Sequence, residues 1–126
     1  MKKRIATILF LGLIVFSASA QWTSGNDLHK QWIEYRKLDM GLTHDSKMSL
    51  LYMGYISACM DSLEMLYLVT NKPDRPTKQF PIPPNATLGQ ICSIVGKYLD
   101  NHPENWSESG YMVFMAAIME AFPLPQ

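Results

Sequence analysis

Three histidines, two cysteines and one closely spaced carboxylate pair are the side chains of this 126-residue chain that could support metal binding or catalysis. A metal site needs ligands at spacings that bring them to one ion. His29, His44 and His102 lie in separate segments without such partners and read as surface or capping residues. A nucleophilic cysteine needs an electropositive, partly exposed surrounding that holds the thiolate. Cys59 instead has Ile56, Ala58 and Met60 around it, which predicts burial. Asp61 and Glu64 stand three residues apart, a spacing that a solvated acidic helix face produces equally well. The chain carries no Gly-x-Ser-x-Gly elbow, phosphate-binding glycine loop, His-Glu-x-x-His or Cys-x-x-Cys. No catalytic, cofactor or metal residue can be nominated, and a non-enzyme is expected.

Two features point toward a protein partner instead. One is a proline-rich stretch carrying Lys72, Asp74, Arg75, Lys78 and Phe80. The other is the segment in which Trp106 stands among Asn, Ser and Glu108. Aromatic and arginine side chains anchor interfaces because they bring large contact areas or fixed donors. A loop tryptophan also serves to cap a core, and the two uses stay open here. Asn85-Ala86-Thr87 and Asn105-Trp106-Ser107 match glycosylation sequons, but so short a motif recurs by chance.

The elements that must position these residues are helical. Leu28, Trp32 and Tyr35 recur at helical spacing, with Ile33 beside them, which predicts a first helix over about 26–38. Gly41-Leu42-Thr43 breaks it. A second and longest helix is predicted over about 45–69, with Asp45 or Ser46 as its cap. Leu51, Tyr55, Cys59, Leu63 and Leu66 form one apolar stripe there, and Met53, Ile56, Met60 and Tyr67 a neighbouring one. Together they are wider than a surface helix needs, so this helix is either central or also covered by a second subunit.

Between 71 and 86 stand Pro73, Pro76, Pro81, Pro83 and Pro84, which lack backbone donors and disfavour helix in the residue before them. A stiff, exposed loop is expected, and loops of this length tend to be functional or disordered. Thr87-Leu88-Gly89-Gln90 fits a capping box and opens a third helix over about 88–100. Its core stripe is Leu88, Ile91, Val95 and Leu99, with Cys92 on the same side. Asn101-His102-Pro103 ends it. A fourth helix begins near Ser107 and ends before Pro123, with Tyr111, Phe114, Met115, Ile118 and Phe122 inward. Met112, Val113 and Met119 broaden its apolar face. The fold class expected is all-α: a small bundle of four to five helices, with the long proline-rich loop between the second and third main helices.

The first twenty residues have the grammar of a secretory signal peptide. Lys2, Lys3 and Arg4 precede an apolar run from Ile5 to Phe16, and Ala18-Ser19-Ala20 supplies the small residues of a cleavage site. Cleavage is expected before Gln21, leaving residues 21–126 as one soluble, exported domain. Its charge would be −3, because the leader holds three of the eleven basic residues and none of the eleven acidic ones. That balance, without basic clusters, argues against nucleic acid and against an anionic membrane surface. In an oxidising compartment the isolated pair Cys59 and Cys92 is expected to form a disulfide, with two buried thiols as the alternative. Closing that loop would stabilise by roughly 3–4 kcal/mol on the chain-entropy account.

Three stretches resemble a known family. Tyr52-Met53-Gly54-Tyr55-Ile56-Ser57-Ala58-Cys59-Met60-Asp61 resembles its Gly-Tyr-Ile helix. Phe80-Pro81-Ile82-Pro83-Pro84-Asn85-Ala86-Thr87-Leu88-Gly89-Gln90 resembles the Pro…Thr-x-x-Gln opening of its next helix. Tyr98-Leu99-Asp100-Asn101-His102-Pro103-Glu104, then Ala116-Ala117 and Ala121-Phe122-Pro123, resembles its ending. The family is the Rap/Tai type of immunity protein, periplasmic inhibitors of peptidoglycan amidases delivered by type VI secretion. The resemblance covers most of residues 25–123. It implies a helical domain, usually a homodimer, that occludes the active-site groove of a cognate cell-wall amidase and needs no cofactor. The cysteines depart from the family's pattern: where members commonly carry them, this chain has Tyr52, Phe80 or Ile82, and Leu124.

The leading expectation is therefore an immunity protein acting by steric occlusion, with residues 72–80 or the Trp106 segment entering the groove. The alternative is a small helical periplasmic acid-stress chaperone, against which the proline-rich loop and sparse charge clusters speak. A hydrolase ranks last, because no nucleophile–base pair is available.

Overall fold

The computed structural model describes residues 22–71 and 80–124. The leader expected at 1–20 lies outside the described residues. Four helices follow in chain order: α1 (Gly25–Asp39), α2 (Ser46–Thr70), α3 (Leu88–Asn101) and α4 (Gly110–Ala121), with a 3-10 turn at Pro103–Asn105 between α3 and α4. Among the described residues there is no strand, only an isolated bridge between Ser24 and Ser109. No described helix is long and apolar enough to cross a membrane.

Each helix starts on a side chain that satisfies an otherwise orphaned backbone donor. Ser24 and Asp27 form a capping box on α1, and Thr87 and Gln90 form one on α3. Asp45 caps α2 through the Met48 N–H, and Ser109 caps α4 through the Met112 N–H. The α1–α2 turn passes through Gly41 at φ 69°, where a Cβ would be strained.

The N-termini of α1 and α4 meet. The Gly25 N–H donates to the Glu108 carbonyl at 2.9 Å, Asn26 N–H to the Trp106 carbonyl at 2.8 Å, and Gly110 N–H to the Thr23 carbonyl at 2.7 Å. These bonds fix the 106–108 segment against the start of α1.

The core gathers Leu28, Trp32 and Tyr35 of α1, Tyr52, Ile56, Cys59 and Leu63 of α2, the inward stripe of α3, and Val113, Phe114, Ala117 and Ile118 of α4. Trp32 lies flat on Gly96, so closely that a Cβ there would fall 2.2 Å from the indole. Ile82 is buried and pins the chain ahead of α3.

The inward face of α2 is Ser49, Tyr52, Ile56, Cys59 and Leu63. This corrects the expected stripe, since Leu51 and Leu66 are 47% and 51% exposed. Apolar residues surround this helix on most sides, so their periodicity does not single out one face. A polar contact to another helix does: Tyr52 Oη donates to the Cys92 carbonyl of α3 at 2.7 Å.

Candidate partner-binding surface

The most connected polar group is the Asp100 carboxylate near the end of α3. It accepts from Trp32 Nε1 at 3.0 Å and Arg36 Nη1 at 3.3 Å, and lies 3.1 Å from His29 Nε2. His29, Trp32 and Arg36 are successive residues on one face of α1, so this carboxylate ties α1 to α3. A histidine held by a carboxylate is half of a hydrolytic triad. Here one face of the imidazole is covered by the Trp106 indole, stacked at 4.0 Å. Trp106 Nε1 donates to the Leu99 carbonyl at 2.8 Å. The thiols offer no nucleophile: burial pushes Cys59 up to about 11 and Cys92 up to about 12.

The expected disulfide is not formed. Cys59 and Cys92 are free and buried. Axial register accounts for this. Tyr52 reaches the Cys92 backbone with its hydroxyl, and Cys59 follows seven residues later, roughly 10 Å farther along α2 at 1.5 Å per residue. A bridge needs Cα atoms within about 7 Å.

The expected partner residues separate into three groups. Lys72, Asp74, Arg75 and Lys78 lie outside the described residues. Phe80 is half-buried and meets Tyr67 edge-on, ring centroids 5.5 Å apart, so it fastens the return of the loop to the last turns of α2. Trp106 is half-buried against His29 and caps the core, while the Glu108 side chain is exposed.

Sequence reasoning missed two features near these residues. An open groove of about 670 Å³ runs between the end of α1 and α3, with Asp39, Gln90, Ser93 and Lys97 beside Ile94 and Phe122. A smaller hollow of about 250 Å³ is lined by Tyr98, Asn105, Glu108 and Met112. The groove combines residues distant in sequence, so no local signal marks it, while the hollow is built within residues 98–116 across the connection from α3 to α4.

His102 bridges two acidic groups. Its Nδ1 lies 3.0 Å from Glu104 Oε1 and its Nε2 3.1 Å from Glu120 Oε2, with the ring stacked on Tyr98 at 4.2 Å. The Glu104 hydrogen bond first, then the charges of Glu120 and Glu104, raises the His102 pKa. Among the described residues, no group of three or more His, Cys, Asp or Glu side chains could hold a metal ion.

A further outward feature is apolar. Leu66, Leu68 and Val69 are exposed at the end of α2, directly before the proline-rich segment.

In comparison with known proteins, the model of a family described as Rap1a immunity proteins matches residues 24–124. No curated protein and no solved structure matches the chain.

Proposed function

We propose that this chain, which belongs to the Rap1a immunity proteins, is a periplasmic inhibitor that binds and sterically blocks a cognate peptidoglycan amidase effector of type VI secretion. The family match over nearly the whole described chain carries this reading. The amidase as target follows from the sequence resemblance, and the periplasm from the leader pattern of residues 1–20. The bonding of Trp106 and the burial of both thiols support action by shape rather than by chemistry.

The contact surface best suited to an enzyme groove is the end of α2 together with the segment that follows it. Leu66, Leu68 and Val69 offer desolvation, and Lys72, Arg75 and Lys78, which follow them in the sequence, bring charge-assisted donors. Phe80 against Tyr67 fixes where that segment returns. A homodimer, implied by the same resemblance, would carry two such ends.

Co-expression tests the proposal. Cells that export a candidate cognate amidase effector should lyse without this chain and grow with it. Lysis unchanged by its presence would defeat the reading.

A further inference from the structure

We infer that the outward face of α4, with the hollow at its start, is a docking surface for a basic segment of another protein. That segment places an arginine or lysine in the hollow and apolar side chains along the methionines. The inference does not depend on the amidase reading, because charge and shape alone define the occupant.

Two series of residues share α4. Val113, Phe114, Ala117 and Ile118 are buried in the core. Met112, Met115, Ala116 and Met119 repeat at three and four residues, centred about 180° away around the helix. Met112 and Met119 are 59% and 58% exposed. A helix with one side in water carries polar residues on that side. α4 is instead apolar nearly all round, and Glu120 is its one charged residue. Unbranched, polarisable methionines suit a surface that must adapt to a partner's side chains.

The hollow adjoins this face. It holds about 250 Å³, and Met112, Val113 and Ala116 form its apolar wall. Pockets for drug-sized ligands begin at about 300 Å³, so this space suits one long side chain. Its polar lining is Tyr98, Asn105 and Glu108, with no basic residue. Asn105 Nδ2 donates to Tyr98 Oη at 2.8 Å, which leaves the Asn105 Oδ1 as an acceptor. Among the described residues no cation pairs with the Glu108 carboxylate. Acceptors beside an apolar wall match a side chain with a cationic head and an aliphatic stem.

Charge chooses among the possible occupants. From 98 to 124 the chain carries Asp100, Glu104, Glu108 and Glu120 and no lysine or arginine. Glu108 precedes the methionines in sequence, and Glu120 follows them, 3.1 Å from His102 Nε2. Such a surface repels nucleic acid and anionic lipid. A second copy set face to face, parallel or antiparallel, would bring these carboxylates against one another. A basic protein segment satisfies both the charge and the apolar face. The face from Met112 to Met119 spans two turns, about 10 Å, so a weak complex near 10 µM is expected.

Fluorescence anisotropy tests this on the purified chain. The probe is a labelled amphipathic peptide of about 14 residues, leucine on one face and arginine on the other. Binding near 10 µM is expected, with none by the same peptide carrying glutamate for arginine. Glu108→Lys and Met112→Ser should each weaken it about tenfold, with circular dichroism unchanged. Glu64→Lys, at an exposed position of α2, should change it by less than about twofold. Absence of binding by the arginine peptide overturns the inference. So does an equal loss from Glu64→Lys and Glu108→Lys, which would mark diffuse charge attraction. Full binding by a peptide with serine for leucine overturns it too, because the methionines would then contribute nothing. Self-association of the chain that Glu108→Lys abolishes would place a second copy on this face and overturn it as well.

Discussion

The hydroxyl of Tyr52, buried in the first third of α2, donates to the backbone carbonyl of Cys92 in α3 at 2.7 Å, forty residues away. The Tyr52 ring also packs beside Trp32 and Tyr35 of α1, at 5.8 and 5.3 Å between centroids. One side chain thus sets the axial register of three helices. Tyr52→Phe keeps the ring and removes the donor. A loss of about 1–2 kcal/mol is expected, the usual worth of a buried hydrogen bond and its unsatisfied remainder. Urea denaturation checks this, and an unchanged midpoint would contradict it.

Glycines 96 and 54 should respond in opposite directions to the same substitution. Gly96→Ala drives a methyl into the Trp32 indole and should cost about 1–3 kcal/mol or more. Gly54→Ala meets open space and should stabilise the subunit by about 0.5–1 kcal/mol through helix propensity. Thermal unfolding of the two variants at low protein concentration separates the effects.

How much of this was legible in sequence depended on whether the deciding contact was local. Thr87 and Gln90 announce the start of α3 because a capping box needs only residues three apart, and the box is formed. The start of α4 moved from near Ser107 to Gly110 because Ser109 caps it, while the 106–108 segment gives its carbonyls to the start of α1. No local pattern carries that second fact. The inward face of α2 was misplaced by about one residue because its apolar residues nearly encircle it. Trp106 could not be assigned between anchor and core cap until its stack on His29 was seen. The groove beside Lys97 is assembled from distant segments and was invisible to any local reading.

The cysteines give a redox prediction. Both thiols are free, buried and raised in pKa, so they should react slowly with a thiol reagent in the folded protein. Two thiols should appear in denaturant, and reductant should leave the melting temperature unchanged. A drop of several degrees with reductant, or no thiols in denaturant, would show a bridge instead.

His102 gives a pH prediction. A neutral imidazole can donate from one nitrogen only, yet both nitrogens of His102 face carboxylates, so the arrangement favours the imidazolium. Its pKa is raised above the ordinary 6.5, and that of Glu104 is lowered below 4.5, chiefly by the His102 hydrogen bond. The His102 contribution to stability is therefore full below 6.5 and lost as pH rises through its folded value. The Glu104 contribution is present above 4.5 and lost as pH falls through its folded value. NMR titration of the His102 ring should give a midpoint above 6.5, which Glu104→Gln moves back down; a midpoint at or below 6.5 would contradict the geometry.

The central claim is that this chain silences a cell-wall amidase by occupying its groove. The most direct measurement is release of peptide from purified peptidoglycan by a candidate cognate amidase, titrated with this protein. The account predicts that turnover falls linearly to near zero at one chain per enzyme and that the chain alone releases nothing. Turnover that persists in the presence of excess chain would contradict it.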